Sequence, residues 1–285
     1  MAIRYGFHMS ISGSISNAAL HAGEKGYGAF QIFTANARSW KANRVDDSEG
    51  KKFFKYSKKF DSMPFAHAPY LCNPASPKQD TWEKSIELLI GNMENCKALG
   101  IQSIVVHMGS HVGSGREAGI ERITEFSKRV MRAAGSVRIL FENSSGYTNS
   151  LGSSFNEMAE IMSGVNSKNM GICIDTCHAF AAGYDMRTEK GVKSMFEEIE
   201  RSMGLDKIGL IHLNDAKFGL GSGLDRHWHI GKGFIGEHGF VNLFKSGYLN
   251  DKCLIMETPE NGEGDDSSNE REFLKIMQLA GYKDV

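Results

Sequence analysis

Short apolar runs recur along the chain, and each leads to a polar residue able to carry chemistry. IRYGF leads to His8, AFQIF to Thr34 and Asn36, MPFA to His67 and SIVV to His107. RILF leads to Glu142, GICI to Asp175, IGLI to His212 and CLIM to Glu257. Runs rich in Ile, Val, Leu and Phe suit strands buried on both faces. Between them, apolar residues at three- and four-residue intervals predict helices over 17–25, 48–60, 81–99, 119–134, 154–163, 190–203 and 270–280. Residues 240–243 suggest another short helix. Gly26, Gly100 and Gly204 stand where helix C-caps are expected. Strands and helices alternating at this length predict an α/β chain closed into a (β/α)8 TIM barrel. An open, doubly wound sheet is the competing architecture. No shift in composition marks a linker, so residues 1–285 read as one domain. The polar, acidic stretch 261–269 reads as a long exposed loop.

A parallel barrel opens all its strand C-termini onto one face, where active sites form. His67, His107, Glu142, Asp175, His212 and Glu257 fall at six such positions. Three carboxylates meeting at one mouth repel one another and resist desolvation unless cations hold them together. Mixed imidazole and carboxylate donors favour zinc, manganese or iron over magnesium or calcium. For Asp175 there is also a plain role, since Asp is a favoured helix N-cap.

Three loop residues extend the set. His178 lies three positions after Asp175. In DRHWHIGKGFIG, Asp225 and His227 are two apart, so an extended backbone points both the same way. His229 shares that parity, and spacing alone leaves it open as a ligand. Three or four protein ligands serve one zinc, so nine candidates suit two or three ions. Closely spaced ions are equipment for in-line attack on a phosphoester. His8 is either a ligand or a residue behind the ligands, His111 a residue behind them. His21 and His238 read as solvated.

The formal net charge of −1 gives no global sign of a polyanion binder, although it can conceal a basic groove. Five cysteines at irregular spacing argue against a disulfide framework and for reduced thiols in the cytoplasm. No uncharged apolar run approaches the roughly 20 residues that cross a bilayer, and no signal peptide is expected at the N-terminus.

GICIDTCHAFAAGYD resembles the Asp-Thr-Cys-His signature of the endonuclease IV family of apurinic/apyrimidinic endonucleases. FTANARSW, HAPY, HMGSH, ENSSG, HLNDAK, DRHWHIGKG and METP are similar to that family's motifs and come in the same order. The resemblance runs from residue 4 to about residue 280. It implies a (β/α)8 barrel using three zinc ions, one or more replaceable by manganese or iron, to cut double-stranded DNA at abasic sites. Hydrolysis 5′ to the lesion is implied, leaving a 3′-hydroxyl and a 5′-deoxyribose phosphate. His67 and His107 are implied to hold one zinc, with Glu142 bridging to a second and catalytically engaged. Asp175, His212 and Glu257 are implied to complete the second site, and His178, Asp225 and His227 the third. Arg38, Tyr70 and Leu71 match residues that enter the duplex. Inserting side chains is easiest where a missing base has already cost the stack a partner.

The motifs also depart from the family pattern. Ala35 stands where Lys is common, which removes one expected phosphate contact. Ser144 and Ser145 replace Thr and Ala, and Ala216 replaces a frequent Ser. The two Ser replacements are small and do not touch Glu142, and all nine proposed ligands are intact. A sugar isomerase or epimerase is the competing enzyme class, and a lesion-binding protein that does not cut is the non-enzymatic one. A monomer suits a groove that must admit a duplex.

Overall fold

A computed structural model describes residues 3–134, 136–259 and 266–282. The first half of the chain runs β1 (Arg4–Phe7), α1 (Ile15–Glu24), β2 (Ala29–Phe33), α2 (Asp47–Lys59), β3 (Met63–His67), α3 (Gln79–Leu99), β4 (Ser103–His107) and α4 (Arg116–Ala134). Next come β5 (Arg138–Glu142), α5 (Phe155–Val165), β6 (Met170–Asp175), α6 (Thr176–Ala182) and α7 (Glu189–Ser202). A 3-10 turn (Leu205–Lys207) leads to β7 (Ile208–His212), β8 (Asp215–Ala216), β9 (His227–Trp228), α8 (Gly236–Lys245), β10 (Cys253–Met256) and α9 (Ser267–Leu279).

Eight strands form one sheet in the order β1-β10-β7-β6-β5-β4-β3-β2, and its ladders are parallel. The two ends of that order meet. His8 and Gln31 form a parallel bridge, and the Met9 amide donates to the Gln31 carbonyl at 2.7 Å. The fold is therefore a TIM barrel, and the open sheet is excluded. The closing seam is close: a Cβ on Gly6 of β1 would lie 1.8 Å from the Ala29 carbonyl oxygen of β2. Only glycine fits there.

The barrel interior is built in layers. Ala29, Phe65, Val105, Leu140, Cys173, Leu210, Cys253 and Ile255 form one apolar cluster, separate from the larger core between sheet and helices. Side chains two apart on a strand share a face. Counting two residues onward from this plug gives Gln31, His67, His107, Glu142, Asp175, His212 and Glu257. The site is thus the next layer up in the same barrel.

Helix boundaries follow local chemistry. Ser14, Asp46, Ser154 and Thr188 cap α1, α2, α5 and α7 with side-chain oxygens. Gly100 ends α3 in the left-handed region at φ 73°. Some expectations need correction. The short helix at 240–243 is the inner part of the longer α8. Within the stretch read as an exposed loop, 261–265 lies outside the described residues, but Ser267–Asn269 open α9 and Asn269 is buried. The α6 helix is the one that the N-cap reading of Asp175 allows, while the β8–β9 hairpin was not anticipated. Thr176 to Ala181 are buried all round, so α6 carries no amphipathic stripe to read.

Candidate metal centre

Asp175 ends β6 and caps α6: its Oδ1 accepts from the His178 amide at 2.8 Å. Its other oxygen, Oδ2, accepts from Asn214 Nδ2 at 2.7 Å and lies 3.4 Å from His227 Nε2. The plain and the chemical roles of Asp175 therefore coexist. One turn of helix carries His178 back over the strand end.

The nine candidate ligands fall into three groups whose donor atoms lie within 4.8 Å of one another. These are His67, His107 and Glu142; Glu142, Asp175, His212 and Glu257; and His178, Asp225 and His227. Glu142 belongs to two of them. Its Oε2 lies 3.1 Å from His67 Nε2 and 3.6 Å from His107 Nε2, while Oε1 lies 3.2 Å from His212 Nδ1 and 3.3 Å from His178 Nδ1. The two oxygens thus face different groups, as a bridging carboxylate requires.

The chain leaving Asp225 and His227 is held by Asp215 of the HLND stretch, which also pairs with Trp228. This buried carboxylate accepts from the amides of Gly233, Ile235 and Gly236. A Cβ on Gly233 would lie 2.4 Å from an Asp215 oxygen, so the glycine permits the approach. His229 points elsewhere, with Nδ1 3.1 Å from Asn269 Oδ1, and only His227 faces the cluster. His8 lies behind Glu257, its Nδ1 3.3 Å from Oε1, and is in none of these groups. His111 accepts from the Gly115 amide at 3.2 Å ahead of α4 and stands apart from the groups. His21 and His238 are exposed.

Charge balance explains the protonation states. Burial raises the Glu142 carboxyl, but His107 and His212, with hydrogen bonds from His178 and His212, hold it well below the usual carboxylate range. Glu257 is likewise held low against burial, by His212 first and then by His8 and His67. Burial works against a charged His178, yet Asp175, Asp225 and Glu142 raise its pKa well above normal. Asp225 is held down at about 2; burial opposes this, and His178 outweighs it. Without cations, protons on imidazole do the neutralising.

The donor set fits divalent ions. His67 Nδ1 faces the Ala68 carbonyl oxygen at 2.6 Å, His178 Nδ1 that of Asn143 at 3.0 Å, and His227 Nδ1 that of Glu257 at 3.1 Å. Each pairing leaves Nε2 toward the cluster, which is how ligand imidazoles are oriented. The buried Nε2 atoms of His178 and His227 have carboxylates nearby but no aligned hydrogen bond. Cys177 also lies close to Asp175 and His227. Burial pushes its thiol pKa up, and Sγ donates to the Arg226 carbonyl at 3.5 Å, so it braces the loop as a neutral thiol.

Beside this cluster runs a groove of 740 Å³, with Tyr70, Asn73, Ser110, Tyr147, Phe218 and Arg226 among its walls. The loops after β5 and β8 are joined there by a Ser145 hydroxyl donating to the Gly223 carbonyl at 3.3 Å. Tyr70 is 68% exposed at the rim, and Arg38 is exposed. Leu71 is half-buried and packs on the core. Ala35 and Ala216 are both buried.

The sequence reading missed Gln31. It is fully buried in β2 and touches His8, His212 and Glu257. A lone amide inside the apolar run AFQIF was the available signal.

The family described as "Xylose isomerase-like TIM barrel" matches residues 20–277. The probable endonuclease 4 of Nitrosopumilus maritimus (strain SCM1) is 43% identical over 273 residues, covering 94% of this chain and 98% of that relative. The chain belongs to the endonuclease IV family. The crystal structure of endonuclease IV from Thermus thermophilus superposes with a TM-score of 0.84 at 33% identity, covering 97% of this chain and 98% of that one. A D-tagatose 3-epimerase-like protein has a TM-score of 0.73 at 21% identity, a likeness of fold alone. Among the described residues, no helix is long and apolar enough to cross a membrane.

Proposed function

We propose that this member of the endonuclease IV family is an apurinic/apyrimidinic endonuclease of DNA base excision repair, working as a monomer in the cytoplasm. Its reaction is hydrolysis of the phosphodiester 5′ to an abasic deoxyribose, giving a 3′-hydroxyl and a 5′-deoxyribose phosphate. Three zinc ions, replaceable in part by manganese or iron, are its cofactors. The observation that carries this reading is Glu142, whose two oxygens face two donor groups while the third group reaches Oε1 through His178.

His67 and His107 would hold one ion with Glu142, Asp175, His212 and Glu257 a second with Glu142, and His178, Asp225 and His227 a third. Bound divalent ions acidify an attacking water and neutralise charge on the departing oxygen. Glu142 orients the attacking oxygen from the cluster's centre. Main-chain carbonyls of Ala68, Asn143 and Glu257 keep three imidazoles in fixed tautomers, so little reorganises during the reaction. Asp215 and its glycine loop hold Asp225 and His227 in register. Arg38, Tyr70 and Leu71 enter the duplex at the lesion, with Leu71 leaving its core contact to do so. The missing base lowers the cost of turning the sugar toward the cluster.

The test is an end-labelled duplex carrying one abasic site, compared with an undamaged duplex and with a ketose sugar. The expected result is one cut 5′ to the lesion, leaving an end that a polymerase extends directly. Epimerisation of the ketose without DNA cleavage would overturn the proposal. Tight abasic binding with no cleavage under metal-replete conditions would instead support a lesion-binding protein.

A further inference from the structure

We propose that Gln31 is a positioning residue of this centre, fixing His212 so that Nδ1, not Nε2, faces the metal. This rests on the metal-centre reading above. Gln31 occupies the place of β2 in the layer of side chains just above the apolar plug, and its backbone makes the bridge that closes the barrel. Its Nε2 lies 2.6 Å from Glu257 Oε1. A carboxylate oxygen bonded at that distance accepts, so the amide's nitrogen end must be the one placed there. That fixes the other end. Gln31 Oε1 lies 2.9 Å from His212 Nε2, and an amide oxygen can only accept. His212 Nε2 therefore carries a hydrogen.

An imidazole must offer a lone pair to bind a metal, and only Nδ1 of His212 is left to do so. That atom lies 3.2 Å from Glu142 Oε1, 3.3 Å from Glu257 Oε2 and 3.9 Å from Asp175 Oδ2. These are the carboxylates of its own donor group. His67, His178 and His227 follow the opposite rule, with main-chain oxygens on Nδ1 and Nε2 left toward the cluster. Three imidazoles are thus oriented by the backbone, and His212 by a replaceable side chain. Gln31 also binds Glu257, so one amide orients two of the four donors in the middle group. Without it, a buried Nε2–H would lose its partner, and Glu257 Oε1 would keep only its longer contact with His8.

The experiment uses Gln31→Met, which keeps most of the volume and removes both bonds. Stripped chains are reloaded with zinc or cobalt(II), dialysed and assayed for bound metal, and the cobalt absorption spectrum is recorded. The expected result is selective loss of one equivalent, held about tenfold to a hundredfold more weakly, with an altered cobalt spectrum and the other equivalents retained. Unchanged stoichiometry and an unchanged spectrum would overturn the inference while leaving the metal-centre reading intact. Failure of the unmodified chain to bind metal would overturn both. A second measurement needs no variant. In the zinc-loaded chain with nitrogen-15 histidine, the His212 ring, assigned as the signal lost in His212→Asn, should carry its proton on Nε2. The rings of His67, His178 and His227 should carry theirs on Nδ1. A His212 ring protonated on Nδ1 would overturn the inference even if Gln31→Met failed to fold.

Discussion

Two adjacent layers of the same barrel use the same strands for opposite purposes. The lower layer, including Phe65, Val105, Leu140, Cys173, Leu210 and Ile255, is an apolar plug. The upper layer holds His67, His107, Glu142, Asp175, His212 and Glu257, two residues further along each strand. Both layers are largely buried, with the upper one more open at His107 and Glu257. Yet the lower layer is satisfied by packing alone, while the upper one collects carboxylates that repel each other without a cation or a proton between them. The strands are continuous, so the plug sets the spacing of the candidate ligands above it. We place stability chiefly in one layer and chemistry in the next.

The sharpest way to break this comparison is in the upper layer. Glu142→Gln keeps the volume but removes the charge facing two donor groups. Cleavage should fall by more than about a hundredfold, because even partners behind a ligand typically cost 10–100-fold. Binding to abasic DNA should persist. Near-normal single-turnover cleavage would place the bridge elsewhere.

Leu140→Ala, two residues earlier on the same strand, should do the reverse. Loss of a buried leucine costs about 2–5 kcal/mol of stability, read as a lower midpoint in denaturant. The folded fraction should keep its full metal content and turnover. A large loss of bound metal with unchanged stability would show that the layers are not separable in this way.

A smaller effect is expected at the rim, outside both layers. Tyr70→Ala, Leu71→Ala and Arg38→Ala should each weaken discrimination between abasic and intact duplexes by roughly tenfold to a hundredfold, as contacts of about 1–3 kcal/mol do, with metal content unchanged. Arg38→Ala should also flatten the salt dependence of binding if its guanidinium meets phosphate. Duplex binding at several salt concentrations is the measurement. An unchanged abasic preference in all three variants would make these residues simple rim packing.

The layer contrast also explains what was legible beforehand. Six candidate ligands could be read because parallel strands deliver their last residues to one mouth, whatever the loops do. His178 was readable because it follows Asp175 within one helical turn. Asp225 and His227 were visible as a spaced pair, but separating His227 from His229 needed either the family resemblance or the contact of His229 with Asn269. The grouping of ligands around Glu142 lay beyond spacing, since it depends on barrel stagger. Helix α6 was signalled only by its N-cap Asp175, because a helix buried all round carries no amphipathic stripe. Gln31 was passed over because an amide in an apolar run changes neither period nor strand length. Its i+2 relation to Ala29 marks its place once the plug is known.

The central claim is that the upper layer, together with His178, Asp225 and His227, is one metal centre whose loading switches on cleavage. It is tested most directly by stripping the chain with a chelator, returning zinc in measured steps, and following bound metal, helical signal and single-turnover cutting of an abasic duplex together. The account predicts a folded but inactive stripped chain, with cleavage restored as bound zinc approaches three ions per chain. Full cleavage by chain holding less than one ion would contradict it.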